Sequence, residues 1–121
     1  MIQLVAILRA RQTVDPQRVL LVGVSMGAIG GWEILANHPG VFDAAAFLCG
    51  EPDPAWEPAL RGQQIWSFHG EADDVVPIGP ARALHQKLPA PARFTALPGR
   101  GHDIWDVLAN PDLYGWLFDG T

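Results

Sequence analysis

A chain of 121 residues, 49% hydrophobic and 17% charged, has the length of one domain and the composition of a core-forming globular protein, which excludes disorder. Its net charge is −5, Lys87 is its only lysine and its arginines are scattered, so no basic stripe exists to neutralise phosphates and nucleic acid is not expected as a partner. No apolar stretch reaches the roughly 20 residues of a membrane span, Met1–Arg11 is too short and unflanked for a secretory signal, and a single cysteine, Cys49, excludes an internal disulfide or a cysteine-based metal cluster.

In chain order, Met1–Arg11 carries Ile2, Val5, Ala6 and Leu8 at helical spacing and is predicted as an amphipathic helix. Asp15-Pro16 turns the chain into Val19–Val24, a nearly continuous apolar run of strand length, as in a strand buried on both faces of a parallel sheet. A helix is predicted over Met26–Asn37, ended by His38-Pro39-Gly40, its small residues packing on the sheet. Phe42–Cys49 is a second strand, with Cys49 a buried small hydrophobe at its end, and the proline-rich stretch Gly50–Gly62 is a loop. Gln64–His69 is a third strand, Gly79–Leu88 a helix stopped by Pro89, Ala92–Leu97 a fourth strand, and Pro111–Phe118 the last helix. This alternation predicts one α/β domain with a parallel sheet of about four strands and flanking helices.

In such sheets the working residues gather at the carboxyl ends of the strands. Ser25, one of two serines, follows the first strand inside Gly23-Val24-Ser25-Met26-Gly27. That is the form of a nucleophile elbow, in which a sharp strand-to-helix turn holds the hydroxyl out and the next N–H, that of Met26, faces a developing oxyanion. A serine needs a base, and the base an acid to fix its tautomer. His102 follows the fourth strand in a glycine-rich turn, and Asp73 and Asp74 both follow the third, within reach of either assignment. His69 is expected to shape the turn before Asp73 or to touch substrate, and Trp105, three residues past His102, to pack or to line an acyl or alcohol pocket. Glu51 and Trp56 are rim candidates in the proline-rich loop, whereas His38 and His85 belong to helix ends and polar helix faces. Trp32, Trp66 and Trp116 read as core. No ligand spacing points to a metal.

Gly23-Val-Ser-Met-Gly27, His69-Gly-Glu-Ala-Asp-Asp-Val-Val-Pro77 and Gly101-His-Asp-Ile-Trp105, in this order, resemble the carboxylesterase and predicted-peptidase branch of the α/β-hydrolase superfamily, with dienelactone hydrolases and feruloyl esterases as similar relatives. The resemblance implies Ser25 as nucleophile, His102 as base and Asp73, four residues after the motif's histidine, as the acid in place of Asp74. It implies hydrolysis of small-molecule carboxylic esters through an acyl-enzyme, with no cofactor and no membrane partner. Alternatives are a peptidase or acyltransferase using the same triad, or a catalytically silent fragment. The resemblance covers only the second half of those domains, so residues 1–121 are expected to be the C-terminal part of one. The strands before it, with the second oxyanion donor, are then expected to be absent, leaving a bare edge on Val19–Val24 through which the chain self-associates. The compartment defaults to the cytoplasm, since any signal peptide would lie in the preceding region.

Overall fold

The computed structural model of the chain describes residues 4–9 and 19–119. Its centre is a five-stranded sheet in the order β1 (Leu4–Arg9), β2 (Val19–Val24), β3 (Ala44–Leu48), β4 (Ile65–Gly70) and β5 (Arg93–Leu97). Strands β2 to β5 are parallel, with Leu20 opposite Ala44, Ala45 opposite Ile65 and Ser67 opposite Phe94. Between them run helices α1 (Met26–Asn37), α2 (Glu57–Leu60) and α3 (Gly79–Lys87), and α4 (Pro111–Asp119) follows β5.

The sheet is the middle of three layers because its strands alternate apolar side chains to both faces. Leu20, Ala44, Ala46, Leu48, Trp66 and Phe68 bury one face with Val107 and, from α4, Leu113, Trp116 and Leu117. Leu21, Ala45, Phe47 and Ile65 bury the other against Ala28, Trp32 and Leu35 of α1, Leu60 of α2 and Leu84 of α3. Central strands β3 and β4 are buried along their whole length; β3 reads as an unbroken apolar run, whereas β4 encloses the polar Ser67 and His69. The alanines of β3 keep that layer thin, and the Trp32 ring packs on Phe47 with centroids 4.5 Å apart. No helix among the described residues is long and apolar enough to cross a membrane.

Two expectations require correction. Residues 4–9 form a strand, not the predicted helix; the other residues of that predicted helix lie outside the described ones. Leu4–Leu8 is apolar without interruption, so neither helical nor strand periodicity is specified. What decides the matter is pairing at long range, since β1 meets the outer edge of β2 antiparallel, from Leu4 opposite Val24 to Arg9 opposite Val19. The edge of β2 is therefore occupied, and the expectation of self-association through it loses its ground. In the proline-rich stretch, a 3₁₀ turn at Pro54–Trp56 leads directly into α2, with Asp53 capping it by accepting from the Ala55 N–H at 2.9 Å. Proline is tolerated at the start of such turns because its missing N–H would have no partner there.

One polar pair is built into the apolar face. Ser67 Oγ of β4 lies 2.6 Å from His85 Nε2 of α3, and the His85 ring stacks on Phe94 with Trp32 edge-on to it. Burial pushes the His85 imidazole down from its ordinary 6.5 to about 4. Between these values the unfolded chain takes up a proton that the folded chain refuses, so this contribution is complete above 6.5 and lost as the pH falls toward 4. Denaturant unfolding at pH 7.5 and at pH 5 is expected to show a larger loss of stability in the native chain than in a His85→Gln variant, which has nothing to titrate there. Equal losses would remove His85 as the cause.

Candidate active site

Because β2 to β5 are parallel, the segments that follow them emerge on one edge of the sheet, and three of these segments meet there. Ser25 forms the turn between β2 and α1 with φ 57° and ψ −117°, a backbone conformation that costs a non-glycine residue about 1–3 kcal/mol. It persists because both its backbone groups are engaged. The Ser25 N–H donates to the Leu48 carbonyl at 2.8 Å, and its carbonyl accepts from Ile29 N–H at 3.0 Å. Gly23 permits the fold-back: a Cβ there would lie 2.5 Å from the Gly27 carbonyl oxygen and 2.9 Å from the Ala28 Cα. Although Ser25 occupies the N-cap position of α1, its side chain does not cap the helix. Its Oγ lies instead 2.8 Å from His102 Nε2.

The second ring nitrogen, His102 Nδ1, lies 2.8 Å from Asp73 Oδ2. With that carboxylate accepting from Nδ1–H, Nε2 is left with a lone pair to accept the Ser25 hydroxyl proton. The other Asp73 oxygen, Oδ1, accepts from the backbone N–H groups of Val75 and Val76, each at 2.9 Å. Burial by itself would raise the Asp73 carboxyl. The hydrogen bonds from Val76, His102 and Val75, with the His102 charge, outweigh it and hold the group below the usual carboxylate range. Asp74 is exposed, so the structure brings Asp73, not its neighbour, to the imidazole. Met26 opens α1, where its N–H is one of the donors that a helix leaves unbonded at its start.

The loops that carry His102 and Asp73 meet through Gly70, the last residue of β4. A Cβ on Gly70 would run into the Gly101 and Arg100 carbonyl oxygens, and the bare Cα lets the two loops join through Ala72 N–H to Arg100 O at 2.8 Å. Arg100 and Asp106 close the His102 loop with a two-point ion pair at 2.5 and 3.2 Å, and Arg100 Nη2 donates to the Asp103 carbonyl at 3.1 Å. Neither Gly70 nor this clamp was assigned a role in the sequence, although both flank motif residues.

Trp105 is 47% exposed and sets its ring edge-on to His102 at 5.9 Å, beside the site. Of the two roles expected for His69 the structure shows the first and corrects the second: it is 1% exposed, out of reach of substrate, with Nε2 2.6 Å from the Val76 carbonyl and 3.4 Å from Asp73 Oδ2, so it braces the Asp73 loop. Cys49 is buried beside Ser25. Burial pushes its thiol up to about 12, against a backbone hydrogen bond from Ser25 and with the Asp73 and Asp103 charges adding to the rise. A hollow of about 440 Å³ lined by Trp66, Arg93 and Trp116 lies toward the opposite ends of β4 and β5 and has no part in this arrangement.

No family model matches the sequence, and no curated protein matches it. Among solved structures, a thermostable esterase is similar over 83% of this chain and 30% of its own, at 30% identity and a TM-score of 0.78. Esterase PE8 is similar over 78% of this chain and 47% of its own, at 26% identity and a TM-score of 0.65. An α/β-hydrolase enzyme from lagoon sediments of Mar Chica, Morocco, matches 85% of this chain and 60% of its own, with a TM-score of 0.63; at 15% identity it speaks for the fold alone. This chain thus spans 30% to 60% of the length of these three.

The close approach at Gly70 generates a prediction. In Gly70→Ala the added methyl meets backbone on the His102 loop, so the loops must part, at a cost of about 1–3 kcal/mol typical of overpacking. The low-field proton NMR signal of His102 Nδ1–H is expected to vanish while the far-ultraviolet circular dichroism is retained. Persistence of that signal would show that the two loops do not depend on this contact.

Proposed function

As the chain carries part of the α/β-hydrolase fold, we propose that it is a serine hydrolase cleaving carboxylic esters, with Ser25, His102 and Asp73 as its catalytic triad. The observation that supports this reading most directly is the hydrogen-bonded line from Ser25 Oγ through the imidazole to a buried carboxylate. In the proposed reaction Ser25 Oγ attacks the ester carbonyl carbon as His102 Nε2 takes the hydroxyl proton. Asp73 stabilises the imidazolium so formed, and the Met26 N–H faces the oxyanion. The carbon–oxygen bond to the alcohol then breaks, and His102 returns its proton to the leaving oxygen. A water, deprotonated by the same imidazole, attacks the acyl-serine, and the imidazolium returns that proton to Ser25 Oγ as the acyl–oxygen bond breaks and the carboxylic acid leaves.

The half-buried Ser25 hydroxyl is within reach of a small electrophile. A fluorophosphonate is expected to add once, at Ser25, and the adduct is expected to be absent in Ser25→Ala and His102→Ala. Hydrolysis of a short-chain aryl ester is expected to fall about 10⁴-fold in Asp73→Asn and to stay within about twofold in Asp74→Asn. A folded chain that takes up no fluorophosphonate would identify a silent fragment, and loss of activity in Asp74→Asn with activity kept in Asp73→Asn would reverse the acid assignment.

A further inference from the structure

Alongside the Ser25 turn, the same edge of the sheet carries a hollow of about 400 Å³, lined by Ile29 of α1 and by Glu51, Pro52, Asp53, Pro54 and Trp56 of the segment that follows β3. Ile29 lies one helical turn beyond Ser25, joined to it by the hydrogen bond from its N–H to the Ser25 carbonyl. One wall of the hollow is therefore one helical turn from Ser25. Its walls are of two kinds. Ile29, Pro52, Pro54 and Trp56 supply apolar and aromatic surface, and the prolines bring no backbone N–H. Among the described residues the two ionisable side chains that line the space are both carboxylates, Glu51 and Asp53, and none is cationic. The chain as a whole, at −5, adds to this negative field.

We infer that this hollow receives a quaternary ammonium group, so that the ester cleaved carries a trimethylammonium-type cation on its acyl or alcohol portion; the inference rests on Ser25 being the nucleophile. A quaternary ammonium has methyl surface for the apolar walls and a charge for the Trp56 ring and the two carboxylates. A neutral group of the same shape would instead cover Glu51 and Asp53 without compensating their charge. An anionic group would be repelled by both. Asp53 keeps its second oxygen for this purpose, since only Oδ1 is engaged by Ala55 N–H.

The test separates the hollow from the chemistry at Ser25. Choline and its uncharged carbon isostere, 3,3-dimethylbutan-1-ol, are titrated into the Ser25→Ala chain while the Trp56 indole N–H is followed by NMR, that signal being identified by its loss in Trp56→Phe. Choline is expected to move the signal saturably and to bind about tenfold more tightly than the isostere, the sum of a cation–π contact and two exposed charge pairs. The preference is expected to disappear in Glu51→Gln/Asp53→Asn and to shrink as salt is raised above about 0.1 M. In the native chain, acetylthiocholine is expected to be cleaved with a lower KM than 3,3-dimethylbutyl thioacetate, the double variant erasing the difference. Equal binding of choline and its isostere, or an unmoved Trp56 signal, would overturn the inference even with both thioesters cleaved. Selective choline binding with neither thioester cleaved would uphold the hollow and overturn the hydrolase reading.

Discussion

The Asp73 carboxylate is the point on which the arrangement at the edge of the sheet depends. It is buried, and a buried carboxylate is tolerable only when its lone pairs are engaged. Val75 and Val76 engage one oxygen, and the other faces His102. His69, lodged beneath, grips the Val76 carbonyl and so fixes the loop that supplies those N–H groups. The loop is thus shaped around the charge, and the charge in turn sets the tautomer of the imidazole. Removing the carboxylate would strip the His102 ring of its orienting acceptor and leave the N–H groups of Val75 and the buried Val76 without theirs, a larger disturbance than the loss of one contact.

β2 and β3 were legible because they are bounded apolar runs, the record left by strands buried on both faces, whereas β4 and β5 carry polar residues and were legible from their length and the glycine-containing turns after them. The position of Ser25 was legible because it directly follows such a run, and that of His102 because it stands in the glycine-rich turn beyond β5. The choice between Asp73 and Asp74 was not, as adjacent carboxylates differ only in which way each points, and the resemblance made that choice. His69 was legible as shaping the turn before Asp73, whereas its burial, which removes it as a substrate contact, comes from the loop that follows it and carries no local signal. The β1 strand was hidden by a run apolar at every position, its conformation fixed by the partner edge of β2. The pairing of Ser67 with His85 joins residues 18 positions apart on a strand and a helix, and nothing local announces it.

Strength in this frame is shared unequally. Strands β3 and β4 are enclosed on both faces, whereas β5, which carries the His102 loop, is only partly buried. The loop therefore cannot rely on β5 alone. It is joined to the acid loop through Ala72 and Arg100, and closed on itself by the ion pair of Arg100 with Asp106. That pair is exposed and contributes little to global stability. Its effect is local, restricting the ends of a short segment whose middle must hold an imidazole within hydrogen-bond distance of two partners.

The Ser25 turn does two things with one strained residue. A serine at an N-cap ordinarily bends its hydroxyl back onto the N–H groups of the first turn and so satisfies them. Held at φ 57°, Ser25 sends its hydroxyl to His102 instead, and the first turn of α1 is left without a side-chain cap. No acidic residue stands in that turn to take the place of the cap. The positive end of α1 is therefore kept free for an anion. A carboxylate at residues 26–28 would stabilise the helix by a few tenths of a kcal/mol. It would also occupy or repel at the location where the proposed oxyanion must develop. The uncharged Met26-Gly27-Ala28 sequence, which looks merely like packing, keeps the helix end less stable than it could be and available to the negative charge that the reaction creates.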